Sequence, residues 1–143
     1  MENFTANDWT SIFPDGWNDR SMITLIGATG AAGIAANIVV TKEETDGQTV
    51  SVEDYAEAQK QAMTAEIPQL QILDERPTTV NGAPSFQRLQ RFQIENVVIQ
   101  QAQTFILSKN AVYVITGTAA IEDFNGIIDA LRRFTENFRL TNA

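Results

Sequence analysis

Cysteine and histidine are both absent from this chain of 143 residues. Without cysteine the chain forms no disulfide and has no thiolate nucleophile. Without histidine it lacks the commonest general base and the commonest metal ligand, so zinc sites built from sulfur and imidazole are excluded. Carboxylates, hydroxyls and lysine remain, and the sequence places no pair of carboxylates across a cleft. We therefore expect a protein that is not an enzyme and that has no catalytic residue, metal ligand or cofactor site.

Positive charge is also scarce, since 10 basic residues stand against 18 acidic ones and the net charge is −8. Nucleic acids and anionic membrane surfaces are therefore unexpected partners, because both are bound through clustered Lys and Arg. The chain has no apolar run near the roughly 20 residues that span a bilayer, and its N-terminus lacks the pattern of a secretory signal. We expect a cytoplasmic protein that does not insert into membranes.

The length and the 43% of hydrophobic residues fit a single domain covering residues 1–143. Apolar residues at helical spacing predict two principal helices, at 51–67 and 121–138, and alternating patterns predict strands. The predicted strands are 9–13, 21–26, 34–43, 70–79, 85–94, 97–107 and 111–118. Because short turns join the later strands, we expect an α+β sandwich with a mainly antiparallel sheet of six to seven strands. An acidic turn is predicted at 44–48.

The segment Pro-Asp-Gly at 14–16 is predicted to form a tight turn, followed directly by Trp17. Proline pre-sets its own φ, and glycine accepts the positive φ that such a turn requires. We expect this turn to connect the first two predicted strands as a hairpin, with Trp17 as an anchor in the core.

The pattern Gly27-Ala-Thr-Gly30-Ala-Ala-Gly33 resembles the dinucleotide fingerprint of short-chain dehydrogenases. In that fold a helix must follow the third glycine, because its N-terminus receives the pyrophosphate. The residues after Gly33 are β-branched and alternate, which favours a strand instead. A flexible loop between two strands is the favoured interpretation, and dinucleotide binding is the least favoured function.

Glutamines cluster on two neighbouring predicted strands, as Gln87, Gln90, Gln93, Gln100, Gln101 and Gln103. Two of them, Gln101 and Gln103, share one strand face with apolar residues, so amides interrupt an apolar row. A neutral, exposed sheet face accounts for this pattern. The alternative is a semi-polar groove for an apolar partner that carries some polar groups, since an amide both donates and accepts hydrogen bonds.

Several short motifs follow one another in an order that resembles the DcrB-like family. They are Phe13-Pro14-Asp15-Gly16-Trp17, Asp19-Arg20-Ser21, Ala36-Asn37-Ile38-Val39-Val40-Thr41, Asp54-Tyr55 with Gln59, Asn81-Gly82, Gln101 with Gln103-Thr104-Phe105, and the closing amphipathic helix. The resemblance extends over essentially the whole chain and implies the α/β/α sandwich that this family shares with PsbP. Within the family, the sequence is most similar to the effector-associated (Eag) chaperones of type VI secretion.

The resemblance implies a non-enzymatic cytoplasmic chaperone or adaptor that works as a homodimer. Such proteins bind the apolar N-terminal transmembrane helices of a secreted effector and deliver the effector for loading. Carried over by position, the partner-binding groove comprises Met22, Thr24, Val39, Gln59, Ile67 and Gln103. One alternative is a general PsbP-like protein-interaction module for another complex. For the apolar residues of this set, ordinary core packing is also an alternative.

Strand alternation separates three of these candidates from the predicted core. One strand face carries Met22, Thr24 and Val39, and the opposite face carries Ile23, Leu25, Ile38 and Val40. We therefore expect the first face to meet a partner and the second to pack in the core.

Overall fold

The computed structural model describes residues 2–5, 8–45 and 50–141. Within these ranges the strands are β1 (Glu2–Thr5), β2 (Thr10–Phe13), β3 (Met22–Thr29), β4 (Ala35–Glu44), β5 (Gln71–Val80), β6 (Ala83–Ile94), β7 (Val97–Leu107) and β8 (Ala111–Ala120). The helices are α1 (Val52–Glu66), between β4 and β5, and α2 (Ile121–Glu136), after β8. From residue 46 on, the predicted acidic turn lies outside the described residues.

Six strands form the main sheet in the order β3-β4-β8-β7-β6-β5, and every neighbouring pair is antiparallel. β1 and β2 form a separate two-stranded sheet. Tight turns join β5 to β6 and β6 to β7, and at the first of them Asn81 and Gly82 both have positive φ. The predicted α+β architecture is therefore confirmed, with six strands in the main sheet and two principal helices.

The turn at 14–16 does not form the predicted hairpin. The amide of Trp17 donates to the carbonyl of Pro14 at 3.3 Å and Gly16 has a φ of 82°, so the turn itself forms as predicted. The strands on either side nevertheless belong to different sheets, because β2 pairs with β1 and not with β3. Trp17 is 72% exposed, so the predicted core anchor is wrong. A turn sequence determines local backbone shape but leaves the pairing of the flanking strands open.

α1 covers part of one face of the main sheet, which we call the α1 face. The hydroxyl of its N-cap residue Ser51 accepts a hydrogen bond from the amide of Asp54 at 3.1 Å, and the helix ends at Ile67. The buried residues of the contact between helix and sheet are Val52, Ala56, Phe105, Val112 and Val114. Only two of the 15 helix residues are buried, so α1 contacts the sheet through a narrow stripe.

α2 covers the opposite face, which we call the α2 face. The core clusters beneath it include Ala36, Ile106, Ile115, Ala119, Phe124 and Leu131. Gly117 on β8 permits this packing, because a Cβ at this position would overlap the side chain of Leu131. Neither described helix combines the length and the hydrophobicity that a bilayer crossing requires.

From Gly30 on, the glycine-rich segment forms a loop between two strands, as the favoured interpretation predicts, whereas Gly27 lies within β3. It joins β3 to β4, so a strand and not a helix follows Gly33. The Asp123 carboxylate, in the first turn of α2, accepts hydrogen bonds from the amides of Ala31 at 3.0 Å and Ala32 at 3.4 Å. A Cβ at Gly30 would overlap this carboxylate. The absence of a side chain there lets the loop approach an acidic group of the same chain.

Candidate functional site

One row of residues on the α1 face crosses five neighbouring strands from the edge of the sheet inward. Its members are successive Cα partners, namely Thr24 on β3, Val39 on β4, Thr116 on β8, Gln103 on β7 and Arg88 on β6. Residues directly opposite one another in a sheet point to the same side, so these five side chains are neighbours. Three of them, Thr24, Val39 and Gln103, are predicted groove residues.

Met22 lies beside this row on the same face, opposite Thr41 of β4. The residues that alternate with these candidates lie on the α2 face, where Ile38 and Val40 pack against the core cluster that contains Leu131. The predicted division is therefore confirmed for β4, where Ile38 and Val40 are directed toward the core. On β3 the predicted core packing is wrong, because Ile23 is 44% exposed and Leu25 is 48% exposed at the edge of the sheet.

The two predicted groove residues outside the sheet lie on and directly after α1. Gln59 is half-buried on α1, one turn after Tyr55. Ile67 is half-buried at the end of the helix, where its backbone amide donates to the carbonyl of Met63 at 2.7 Å. The structure thus places four of the six candidates together on the sheet, while Gln59 lies on α1 and Ile67 directly after it.

The part of the α1 face on β3 and β4 is largely open. We call it the open strip, and it comprises Met22, Thr24, Ile26, Asn37 and Val39. Met22 is 66% exposed and Ile26 is 73% exposed, although both side chains are large and apolar. The strip contains no charged residue. Exposed apolar side chains grouped in this way are typical of surfaces that contact another molecule.

Side-chain amides form a ladder along the inner border of the open strip. The amide of Gln90 donates to Gln101 at 2.7 Å, and Gln101 donates to the hydroxyl of Thr118 at 3.1 Å. Gln103 donates to the hydroxyl of Thr116 at 3.3 Å. Sequence reasoning finds the glutamines but misses both threonines. Thr116 and Thr118 are two residues apart on β8 and so share one face of that strand. They can be identified because they pair with Gln103 and Gln101.

Two acceptors of this ladder have no partner among the residues that the structure describes. They are the buried Oε1 atoms of Gln90 and Gln103. A buried polar atom without a hydrogen bond costs about 1–3 kcal/mol. Gln103 lies opposite Thr116, which in turn lies opposite Val39. The unpaired acceptor of Gln103 is therefore buried on β7, two strand spacings or about 10 Å from Val39 of the open strip.

Arg88 anchors α1 at the inner end of the row. Its guanidinium is fully buried and donates to the carbonyl of Ala56 at 2.6 Å and to the carboxylate of Glu75 at 3.3 Å. It also lies over the ring of Phe105, 5.2 Å from the centroid. These contacts hold α1 over β6 and β7, so that β3 stays exposed and the facing residues of β4 stay half-buried.

A second depression lies on the α2 face, between α2 and the strands β5 and β6. Its volume is about 780 Å³, and its lining includes Thr78, Gln87 and Thr104. Arg76 and Arg132 also line it, and each is in an ion pair with an aspartate. The open strip carries no charge, so an apolar partner fits the strip better than this charged depression.

Tyr55 ties α1 to β4 beside the open strip. Its hydroxyl donates to Oε2 of Glu43 at 2.5 Å. Burial, together with the hydrogen bond to the Glu43 carboxylate, raises the pKa of Tyr55 well above its ordinary value of 10. Because the fold favours the neutral phenol, this contact stabilises the protein below about pH 10. The stabilisation is lost as the pH rises through the pKa of the folded state.

We expect Tyr55 to stay protonated in the folded chain when the pH passes 10, the ordinary tyrosine pKa. A difference titration of the parent and a Tyr55→Phe variant measures this through tyrosinate absorbance. The two curves should coincide while both chains are folded, and the extra signal of the parent should appear only during alkaline unfolding. Extra tyrosinate absorbance near pH 10 in the folded parent would contradict the expectation.

Residues 12–135 match the sequence model of a known family, DcrB. The chain belongs to the DcrB family. The matched range begins in β2 and contains the whole main sheet and nearly all of α2, so the predicted family resemblance is confirmed at this level. Among curated proteins, none matches this DcrB sequence significantly.

Solved structures similar to this DcrB protein share its architecture. PA94 of Pseudomonas aeruginosa, a protein of unknown function proposed to be a regulator, has a TM-score of 0.85 at 18% identity, over 98% of this chain and 96% of that one. LpqN, involved in cell envelope biogenesis of Mycobacterium tuberculosis, has a TM-score of 0.57 at 14% identity, over 85% of each chain. Cyanobacterial PsbP (CyanoP) of Synechocystis has a TM-score of 0.57 at 12% identity, over 97% of this chain and 91% of that one. At these identities the likeness concerns the fold, and it confirms the predicted PsbP-like sandwich.

Proposed function

We propose that this DcrB family protein is a non-enzymatic chaperone or adaptor for apolar helices of another protein. In its specific form, it works in the cytoplasm as a homodimer, binds the N-terminal transmembrane helices of a type VI secretion effector and delivers the effector for loading. The resemblance to the effector-associated chaperones motivates this form. The observation that carries the proposal is the open strip, an exposed and uncharged surface bordered by an amide ladder with a free acceptor.

The width of the open surface matches a helix. An apolar transmembrane segment of about 20 residues must be shielded from water by a partner, because its exposed apolar surface otherwise causes aggregation. From β8 to β3 the uncovered part of the α1 face extends over two strand spacings, about 10 Å. An α-helix with its side chains has a diameter of about 10–12 Å. The uncovered part of the α1 face is therefore about as wide as one apolar helix, which can lie on it beside α1.

The amide ladder suits a helix that is apolar but carries a few small polar side chains. Transmembrane helices pack through small residues and through hydroxyl groups that hydrogen-bond to their neighbours. Oε1 of Gln103 is buried in the free chain, and it accepts from such a hydroxyl when the side chain turns toward the bound helix. The hydroxyl of Thr24 can donate or accept. A partner that supplies this donor removes the cost of an unpaired buried acceptor, which adds a favourable contribution to binding.

Co-expression with the N-terminal region of a candidate effector tests the proposal. The soluble fraction of that region should rise with the parent chain. With a Gln103→Leu variant, we expect binding to weaken by about tenfold, because the hydrogen bond to the partner is lost. The same change removes a buried unpaired acceptor but also the hydrogen bond to Thr116, so the free energy of unfolding should change by no more than about 1 kcal/mol. Titration calorimetry measures the affinity, and urea unfolding measures the free energy of unfolding.

A Gln71→Leu variant is the matched control, because Gln71 is exposed on β5 at the opposite edge of the sheet. This variant should change neither the affinity nor the free energy of unfolding. The proposal fails if the parent chain gives no gain in effector solubility, or if Gln103→Leu binds the effector as tightly as the parent does.

A further inference from the structure

β3 forms an edge of the main sheet, and its regularly paired part, residues 22–26, lacks the charges, prolines and bulges that protect such edges. All eight of its residues are exposed, and none is charged or is a proline. The opposite edge strand, β5, carries in succession Asp74, Glu75, Arg76 and Pro77. Charges and proline on an edge strand block pairing with another chain, and their absence leaves the edge free to pair. Of the two edge strands of this sheet, β3 is therefore the one that can pair with a strand of another chain.

The backbone groups available at this edge follow from the pairing of β3 with β4. The amide of Lys42 donates to the carbonyl of Ser21 at 3.2 Å, which identifies these two residues as a hydrogen-bonded pair. Hydrogen-bonded and non-hydrogen-bonded pairs alternate in an antiparallel ladder. The backbone amides and carbonyls of Met22, Thr24 and Ile26 therefore point away from β4, toward the free edge.

We propose that β3 pairs antiparallel with β3 of a second copy about a two-fold axis at Thr24. In this register Thr24 opposes Thr24 of the partner subunit, and Met22 opposes Ile26 of the partner subunit on the α1 face. On the α2 face, Ile23 opposes Leu25 of the partner subunit. Every apolar side chain then meets an apolar side chain, and no charges are brought together.

Other two-fold registers that use the same backbone groups fit less well. A register centred on Met22 places the charged Arg20 opposite Thr24 of the partner subunit. A register centred on Ile26 is interrupted, because the pairing of β3 with β4 shifts after Ile26. Both the side chains of β3 and the end of its regular pairing at Ile26 therefore favour the register centred on Thr24.

This interface rests on the proposed function and specifies its cargo further. It joins the two open strips into one trough between the α1 helix of one protomer and the α1 helix of its partner. From β8 to β8 of the second copy the trough spans five strand spacings, about 24 Å. Two helices side by side require about 20–24 Å. One copy thus provides a floor for one helix, and the pair of copies holds two apolar helices together.

Cysteine substitution tests the interface cleanly, because the chain has no cysteine of its own. In a Thr24→Cys variant the two thiols oppose each other. The Cα distance of a hydrogen-bonded pair, about 5.5 Å, lies within the range of a disulfide. We expect this variant to form a covalent dimer under mild oxidation, seen by non-reducing electrophoresis and intact mass. Its cross-linked yield should exceed that of the control Ile26→Cys by about tenfold or more, because two Ile26 positions lie about 14 Å apart in this register.

A mixture of Met22→Cys and Ile26→Cys chains supplies a second, independent readout. These two variants should cross-link to each other and not to themselves. A Thr24→Cys yield no higher than that of Ile26→Cys, or no cross-link in the mixture, overturns the β3 interface. A dimer seen by light scattering without these cross-links overturns it as well, because another surface then joins the copies. An effector that is still kept soluble in that case shows that the proposed function stands while this interface does not.

Discussion

A glutamate at Met22 or at Val39 is expected to weaken binding of the apolar helical segment by about 100-fold. Both residues belong to the open strip, where the proposed partner rests. A carboxylate pressed against an apolar helix costs about 3 kcal/mol, which corresponds to about two orders of magnitude in affinity. Because Met22 is 66% exposed, Met22→Glu should leave the free energy of unfolding nearly unchanged. Because Met22 also opposes Ile26 of the partner subunit in the proposed β3 interface, light scattering of this variant separates a loss at the open strip from a loss of the dimer.

A Leu73→Glu variant is the matched control for this result. Leu73 is an exposed aliphatic residue on β5, at the other edge of the sheet, so the change in charge and size is nearly the same. Calorimetric titration with the effector segment, and its soluble yield on co-expression, compare the three variants. Unchanged binding by Met22→Glu, or an equal loss in Leu73→Glu, would show that the open strip does not hold the partner.

Replacement of Arg88 by alanine is expected to lower the free energy of unfolding by about 3 kcal/mol. The change removes a fully buried guanidinium that bonds both Glu75 and the helix carbonyl of Ala56. It also removes the contact with Phe105 and leaves a cavity beneath α1. Glu75 keeps its ion pair with Lys60 at 3.1 Å, so the loss should lie at the lower end of the range for broken buried pairs.

Arg76→Ala is the control for Arg88→Ala. Arg76 also pairs with a carboxylate, that of Asp74 at 2.7 Å, but its side chain is exposed. Exposed pairs contribute about 0–1 kcal/mol, so this variant should unfold almost like the parent in urea. Amide hydrogen exchange should show that Arg88→Ala loosens α1 more than the α2 face. Equal effects of the two substitutions on unfolding would contradict the anchoring role of Arg88.

Much of the architecture could be predicted from the sequence, because it depends on local periodicity. Alternation along β7 puts Gln101 and Gln103 on one face, and alternation along β4 puts Val39 opposite the core residues Ile38 and Val40. A β-branched run after Gly33 predicts a strand where a nucleotide-binding fold needs a helix. These inferences hold because each uses only residues within a few positions of one another.

Long-range pairing could not be predicted in the same way, and the Trp17 region shows why. The local shape of the turn before Trp17 was predicted correctly, yet β2 pairs with β1 and the tryptophan is exposed. Local preference does not specify which distant strand a segment joins, because that choice depends on the burial and hydrogen bonds of the whole sheet. Thr116 and Thr118 were missed for the same reason, since their role appears only when β8 lies beside β7.

The sequence by itself therefore determined the class of the fold and the face on which the strand candidates lie. It also excluded any site that needs a cysteine or histidine side chain. Only the tertiary structure decided which candidates meet, since Thr24, Val39 and Gln103 form one row through pairing of strands that are far apart in the chain. It also decided that the charge of Arg88 is buried, that Oε1 of Gln103 is unpaired, and that β3 is an edge. The physical reason is that burial, hydrogen-bond satisfaction and edge exposure are properties of the assembled sheet, whereas periodicity belongs to each segment alone.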